Sequence, residues 1–427
     1  MFLQVYRDYL GEIQLVGLLS PDGRFAYDEG YLGRANAHAL SFSLPLQEAT
    51  FSQAQALPYF KGLLPEGRAL AALAARLGRA EEDYIGILAE CGLDCIGDIV
   101  LKPEDYQGLR SYKKIGIKEL EEKLAKSNTV FADVLTETRL SLAGTQDKIG
   151  LFIDGGEDEP SWYLPEGGAP SNCILKAAQS EYLPDLMLAE HLSMACASAC
   201  GLNVAETRLV NIGQDALLIK RFDRTEKSEE VIDGHAAPTR RHQEDFTQIL
   251  GLVPSSKYVE LHEGTAKAIA AFLRNNSSAP ALDIESLLEI GIFNYAIGNA
   301  DNHLKNSSVL YSSNWREIRL APAYDLVPTT YYARFSRNMG MALGSTRNID
   351  AVMPEDLKAF ASQIDVSERM LKKVAKRISE TLLPALRNEA RKLDGEGFPS
   401  AYFVADNMEE DMAPRLKVLG KVYGNAY

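Results

Sequence analysis

No feature of this sequence limits its fold more than residues 284–297, where Ile284, Leu287, Leu288, Ile290, Ile292, Phe293 and Ile297 crowd into fourteen positions. Apolar side chains fall almost all the way round a 3.6-residue period, so a helix here is buried rather than laid along a surface. Burying it takes other helices. The pattern from about residue 245 onward supplies them, and residues 352–390 carry helical periodicity with one or two interruptions.

The first half is different in kind. Its opening forty-odd residues are rich in Gly, Tyr, Phe and Leu, with turn signals at Leu10-Gly11 and Pro21-Asp22-Gly23, and read as a short β-meander. Residues 68–77 place Leu70, Leu73 and Leu77 on one helical face, with Gly78 as C-cap. Residues 96–101 read as a strand closed by Lys102-Pro103-Glu104-Asp105, and 118–126 as a charged helical connector. A second β-rich block begins near Leu140: a strand at 172–176, a helix at 185–200 closed by Gly201, and a strand at 217–222. Residues 226–239 are polar, contain Gly and Pro, and read as a surface loop. The expectation is an α+β chain, β-rich first and helical second, in two lobes with a cleft between them, divided at 1–105, 106–225 and 226–427.

Composition sets the bounds. With 427 residues and 46% hydrophobic content the chain can bury the cores of two or three domains. A net charge of −14 argues against broad, non-specific nucleic-acid binding, though a local basic patch is compatible with it. The N-terminus lacks the basic flank and apolar run of a signal peptide, and no window reaches the roughly 18 apolar residues of a membrane span. Five cysteines, Cys91, Cys95, Cys173, Cys196 and Cys200, in a long chain without a leader point to reduced thiols and a cytoplasmic location. The 91/95 and 196/200 spacings admit a metal site, but both pairs lie in apolar stretches with no suitably spaced histidine, so buried thiols are expected.

The chemistry concentrates after the buried helix, in Gly298-Asn299-Ala300-Asp301-Asn302-His303-Leu304-Lys305-Asn306. An Asp and an Asn five positions apart, between a buried helix and the β-like segment 308–311, recur in protein-kinase catalytic loops. There the Asp accepts the substrate hydroxyl's proton and the Asn oxygen binds Mg²⁺. Pro322-Ala323-Tyr324-Asp325-Leu326 adds a carboxylate just after a strand, and Asp301, Asn306 and Asp325 form an oxygen-donor set suited to magnesium beside nucleotide phosphates. Asp301 and Asn302 are also ordinary helix-terminating residues.

Three further stretches bear on the choice. Residues 139–148 (Arg139, Leu140, Ser141, Leu142, Ala143, Gly144, Thr145, Gln146, Asp147, Lys148) form a small-residue turn able to bring backbone N–H groups to phosphates; it matches no standard phosphate-loop pattern and reads equally as a hairpin turn. Ile174-Leu175-Lys176 ends a strand in a lysine, and Glu190 follows in the next helix, as in the lysine–glutamate pair that positions phosphates in kinases; Glu181 is the other choice. Leu218-Ile219-Lys220-Arg221-Phe222-Asp223-Arg224 offers backbone groups to an adenine edge and Phe222 to its ring, or Phe222 to an ordinary core. Loop, lysine, glutamate, hinge, Asp…Asn and Asp follow a kinase's order of parts.

Over nearly its whole length the chain resembles the HipA family of bacterial serine/threonine kinases, toxins of type II toxin–antitoxin pairs. The resemblance rests on Phe60-Lys61-Gly62-Leu63-Leu64-Pro65-Glu66-Gly67 and residues 88–97 in an N-terminal subdomain. In the core it rests on 141–148, Leu175-Lys176, 221–224, His242-Gln243-Glu244-Asp245, 301–306, Tyr324-Asp325 and Met341-Ala342-Leu343-Gly344. It implies a bilobal protein-kinase-like fold, similar to phosphoinositide kinases, with a β-rich N-lobe and a helical C-lobe. It implies Asp301 as catalytic base, Asn306 and Asp325 as Mg²⁺ ligands, and Lys176 on the phosphates. The 142–148 loop, Ile174, Lys220, Phe222, His303 and Tyr324 would lie around ATP. Ser141 matches the family's autophosphorylated serine, whose modification ejects the loop and silences the kinase. Glu190, Asp223 and His242 to Asp245 would support these groups, the last four by bracing the catalytic loop.

The resemblance also implies partners: a HipB-like helix-turn-helix antitoxin, operator DNA reached through that complex, and a protein substrate such as glutamyl-tRNA synthetase or another aminoacyl-tRNA synthetase. Lys372, Lys373, Lys376 and Arg377, along one helix, could meet DNA phosphates there or simply form a solvated face. A lipid or small-molecule kinase and a catalytically silent co-repressor are the competing readings. No basic amphipathic helix favours a membrane substrate, and every candidate ATP and Mg²⁺ group is present.

Overall fold

Alternating burial along Leu3–Tyr9, with Leu3 and Val5 inward, starts a four-stranded antiparallel sheet in the order Phe25–Tyr27, Glu12–Leu19, Leu3–Tyr9, Ile99–Pro103. The computed structural model describes residues 2–126, 130–139, 141–143, 148–155, 160–177, 183, 185–225, 229–259, 261 and 264–424. They fall into two compact units. The first holds Met1–Gln179, Val210–Ser256 and Val309–Glu317; the second holds Ser180–Leu209, Lys257–Ser308 and Ile318–Tyr427.

In the first unit the meander shares one core with helices Gln53–Gly62, Gly67–Leu77 and Tyr84–Cys91, through Phe25, Tyr59, Phe60, Leu73 and Ile87. Gly78 caps the second helix in the left-handed conformation, φ +65°, which a glycine adopts without strain. A second sheet runs Ser111–Ile115, Ser161–Glu166, Lys148–Asp154, Cys173–Ala177, Asp215–Lys220 and on into Thr207–Asn211, inside which the chain passes from one unit to the other. Ile149, Leu151, Leu164, Leu175 and Ala216 fill its own core. The strand Ser111–Ile115 is absent from the sequence expectation. The exposed Lys113 and Lys114 interrupt its alternation, as suits an edge strand.

Asp94 fastens these two parts of the first unit together. Its carboxylate accepts from Arg224 Nη2 (2.8 Å), Arg240 Nε (3.2 Å), Arg221 Nη1 (3.5 Å) and the N–H and hydroxyl of Ser171 (3.0 and 2.7 Å). Burial would raise this carboxyl's pKa; the guanidiniums of Arg224, Arg221 and Arg240 outweigh it and hold the group well below the usual carboxylate range. Asp223 accepts from Arg221, Arg224 and the Gly97 amide (2.7 Å), so the segment after the strand Asp215–Lys220 is bolted to residues 94–97.

The second unit is built around the helix Pro280–Ile297, which buries thirteen of its residues, starts on proline and ends on left-handed Gly298. Helices Thr265–Asn276, Glu368–Gly395 and Ala401–Tyr423 pack against it, and Leu186–Ala199 packs on the latter two. The periodic region 352–390 is two helices, Pro354–Gln363 and Glu368–Gly395, with Ser367 capping the second. Four thiols are buried; burial pushes Cys91, Cys95 and Cys200 up to about 12, and Cys196 well above its ordinary value. No helix among the described residues is long and apolar enough to cross a membrane.

Candidate active site

The loop that follows the buried helix is held by its own backbone and by one asparagine. Gly298 sits at φ +78°, and a Cβ there would fall 1.8 Å from Thr330 Oγ1, so glycine is required for both conformation and space. The Ala300 amide donates to Thr329 Oγ1 (2.8 Å), and the Gly340 amide donates to the Ala300 carbonyl (2.8 Å). Leu304–Asn306 forms a 3-10 turn that leads into the strand Ser308–Tyr311.

Asn299, 2% exposed, is the centre of this arrangement. Its Oδ1 accepts from the Asp301 amide (3.0 Å), and its Nδ2 donates to Asn294 Oδ1 (2.7 Å) and to the Asp325 carbonyl (3.2 Å). One side chain therefore fixes the backbone of both Asp301 and Asp325, two segments well separated in sequence. A second tie runs beside it: the Tyr324 hydroxyl donates to the Lys305 carbonyl (2.7 Å). Asp325 itself adopts φ +53°, a conformation uncommon outside glycine and often found at functional sites.

Asn306 Nδ2 donates to the Asp301 carbonyl (2.8 Å), which commits its NH₂ to the loop and leaves its oxygen as the acceptor end. His303 is buried, and burial, with the charge of Lys257 next, pushes its pKa down to about 3 against the opposing pull of Asp325. Its Nδ1 has no hydrogen-bond partner among the described residues, and its Nε2 lies 4.0 Å from Asp301 Oδ1. No three His, Cys, Asp or Glu side chains among the described residues converge to hold a metal. The oxygens of Asn306 and Asp325 are hard donors that fit instead a cation arriving with phosphate oxygens, as magnesium does. The Asp301 carboxylate is 44% exposed and accepts from the Tyr258 hydroxyl at 2.5 Å, a contact that no sequence spacing announces.

The first unit carries most of the other predicted residues. Lys176, 3% exposed, pairs across the sheet with Lys148, 9% exposed, so two buried ammonium groups share one face. Lys148 Nζ donates to the Ala143 carbonyl (2.5 Å). Ile174, two positions before Lys176 on the same strand, lies opposite Ile219 of the strand Asp215–Lys220. Lys220 is exposed and Phe222 half-buried. Ser141 is fully buried, its hydroxyl donating to the Leu63 carbonyl (2.7 Å), and Leu142 is buried beside it. Gly144, Thr145, Gln146, Asp147 and Glu181 lie outside the described residues. Glu190 is buried in the helix Leu186–Ala199 of the second unit.

His242 and Glu244 make contacts with the segment that follows the loop. His242 bonds Asp98 Oδ1 (2.7 Å) and stacks on Trp315; Glu244 accepts from the Tyr311 hydroxyl (2.7 Å) and from Ser41; Asp245 caps the helix Phe246–Ile249. Gln243 is buried in the strand Gln243–Asp245, which pairs with Ser308–Tyr311. On the helix Glu368–Gly395, Lys373 meets Glu285 (3.7 Å), Lys376 meets Glu380 (3.8 Å) and Arg377 turns onto Glu289, while Lys372 is exposed. That face is largely neutralised within the protein.

Two family models match the chain: the HipA N-terminal domain over residues 9–102 and the HipA-like C-terminal domain over residues 140–386. A putative kinase, Y4mE, of Sinorhizobium fredii is 33% identical over 382 residues, 87% of this chain and 86% of its own. The serine/threonine-protein kinase toxin HipA of Shewanella oneidensis is 27% identical over 435 residues, 97% of this chain and 96% of its own. Among solved structures, that of the S. oneidensis HipA, HipB and operator DNA complex superposes with a TM-score of 0.76 at 23% identity, covering 98% of this chain and 97% of the other.

Proposed function

The chain belongs to the HipA family, whose C-terminal domain alone spans more than half of it, and from that premise we propose that it is an ATP- and Mg²⁺-dependent serine/threonine protein kinase with Asp301 as its base. The observation that carries this reading is the double grip of Asn299 on Asp301 and Asp325, which holds a proton acceptor and a cation ligand in one rigid frame. Asp301 accepts the proton of the attacking hydroxyl. Asn306 and Asp325 hold magnesium, which when bound neutralises the charge of the transferring phosphoryl group. Lys176, with Lys148 beside it, binds the α- and β-phosphates. Residues 142–148 cover them, while the backbone around Lys220 and the Phe222 ring receive the base. His303, its pKa lowered by burial and its Nδ1 open, would serve ATP as a hydrogen-bonding group without adding charge.

Ser141 is the proposed autophosphorylation site. Its hydroxyl is sealed against Leu63, so phosphorylation requires the segment to leave its pocket, and a phosphate of about −1.5 to −2 charge could not be reburied there. Autophosphorylation would thereby lock residues 142–148 away from ATP. The S. oneidensis relative was solved with HipB and operator DNA, which supports a helix-turn-helix antitoxin as partner here and a co-repressor role beside the toxin role. An aminoacyl-tRNA synthetase is the proposed substrate, on the family resemblance alone. Lys372 is the residue of the basic helix best placed for a DNA phosphate, since Lys373, Lys376 and Arg377 already face carboxylates.

Incubating the protein with labelled ATP, Mg²⁺ and a cell lysate tests the reading. Transfer to protein serine or threonine is expected, with phosphate on Ser141 by mass spectrometry and none with Asp301→Ala. Equal labelling by the variant would remove Asp301 from the chemistry, and label on lipid alone would make this a lipid kinase.

A further inference from the structure

Tyr258 takes no part in the phosphoryl transfer proposed for Asp301, yet its hydroxyl donates to Asp301 Oδ1 at 2.5 Å, the length of a charge-assisted O–H···O⁻ bond. Several contacts hold it there, among them the Lys257 ammonium 5.3 Å from its ring centroid. Its ring meets that of His303 edge-on, with centroids 4.9 Å apart and planes at 82°. The Lys257 carbonyl accepts from the Leu304 amide (3.4 Å), and the Tyr258 carbonyl accepts from Arg347 Nη2 (3.2 Å). The segment is thus tied to the catalytic loop on one side and to the strand Thr346–Asn348 on the other.

A carboxylate that takes a proton from an attacking hydroxyl must hold that hydroxyl at roughly 2.6–3.2 Å. The Tyr258 hydroxyl already occupies such a position. Taking Asp301 as the base, we propose that Tyr258 is a built-in occupant of the acceptor-hydroxyl position, and that a serine or threonine hydroxyl, or water, reaches Asp301 by displacing it.

Exposure supports displacement rather than permanent support. Tyr258 is 45% exposed and the Asp301 side chain 44%, so the phenol can rotate into solvent without opening the unit, whereas His303 beneath it is 6% exposed and stays. The backbone ties do not depend on the hydroxyl and survive its departure. Removing the hydroxyl has opposite effects for a residue that orients Asp301 and for one that blocks it. Losing an orienting group slows transfer to every acceptor. Losing an occupant lets acceptors in more readily and leaves ATP binding as it was.

The test is Tyr258→Phe, which keeps the ring and its contact with His303. Two probes serve as acceptor: water, read as ATP hydrolysis without protein substrate, and dephosphorylated casein. Hydrolysis should rise and the KM for casein should fall, each by about three- to tenfold, the range of one lost hydrogen bond, with KM for ATP unchanged. Hydrolysis that is unchanged or falls, with casein KM unmoved, overturns the proposal. Asp301→Ala, run in parallel, separates the two claims. If it turns over ATP as fast as the wild type, the base assignment fails and the occupant with it; if it is inactive while Tyr258→Phe shows no gain, only the occupant fails.

Discussion

Replacing Asn299 by alanine asks whether the frame that joins Asp301 to Asp325 matters for turnover or only for stability. The substitution deletes three hydrogen bonds at a position 2% exposed. The Asp325 carbonyl keeps a partner, since the Val327 amide also donates to it (3.0 Å). The Asp301 amide loses Asn299 Oδ1 as its acceptor, and the buried Asn294 Oδ1 loses its donor. Two groups left short at about 1–1.5 kcal/mol each put the expected loss of unfolding free energy at about 2–3 kcal/mol. Turnover should fall further than stability implies. Freeing the Asp301 backbone allows displacement on the order of 1 Å, which costs about 10²-fold when reacting groups must align. Urea unfolding gives the first number, and phosphoryl transfer to casein at saturating ATP, at a temperature where the variant is fully folded, gives the second. A variant that loses about 2–3 kcal/mol yet turns over within twofold of the wild type would show that Asn299 merely closes the helix end.

The buried ion cluster in the first unit makes a sharper stability prediction: Asp94→Ala removes the carboxylate that Arg221, Arg224 and Arg240 share, leaving Asp223 to Arg221 and Arg224, and should cost at least about 3 kcal/mol in urea unfolding followed by tryptophan fluorescence, so a loss under about 1 kcal/mol would refute it. His242 predicts a pH dependence. Burial opposes its charge, but Asp98, by charge and hydrogen bond, and Glu244 raise its pKa from 6.5 to about 9. A group whose folded pKa is raised contributes stability that is complete below the unfolded value and lost as pH rises through the folded one. Unfolding free energy should therefore decline between pH 6.5 and about 9 more steeply in the wild type than in His242→Gln, and parallel slopes in the two proteins would refute the ion pair.

What the sequence made legible has a physical pattern. The helix at 284–297 was readable because burial on every side leaves a composition that no surface helix has, and Gly298 marked its end. Asp301, Asn306 and Asp325 stood out because an Asp and an Asn five apart, followed by a further Asp, repeat the order of a kinase's parts; their roles are proposed, and the fold adds that the two segments lie in one unit joined by Asn299. Asn299 itself was invisible as a support. Asparagine after a helix is an ordinary terminator, and only the fold reveals a bond reaching residue 325. Tyr258 was invisible for a related reason: it lies 43 positions from Asp301, in a polar segment without a motif. Asp94 stood within a family motif, but nothing in local sequence pairs it with Arg221, Arg224 and Arg240, more than 120 positions away. The face with Lys372, Lys373, Lys376 and Arg377 looked cationic because spacing along one helix takes no account of Glu285 and Glu289 on another.

The central claim, that Asp301 supplies proton-transfer chemistry while Asp325 holds the metal, is tested most directly by measuring Mg²⁺-ATP affinity and single-turnover phosphoryl transfer in the wild type, Asp301→Asn and Asp325→Asn. Asp301→Asn should keep Mg²⁺-ATP affinity within a few-fold and lose about 10²–10⁴ in transfer rate, while Asp325→Asn should lose affinity and rate together. Transfer by Asp301→Asn at the wild-type rate, or unaltered Mg²⁺-ATP binding by Asp325→Asn, would contradict the account.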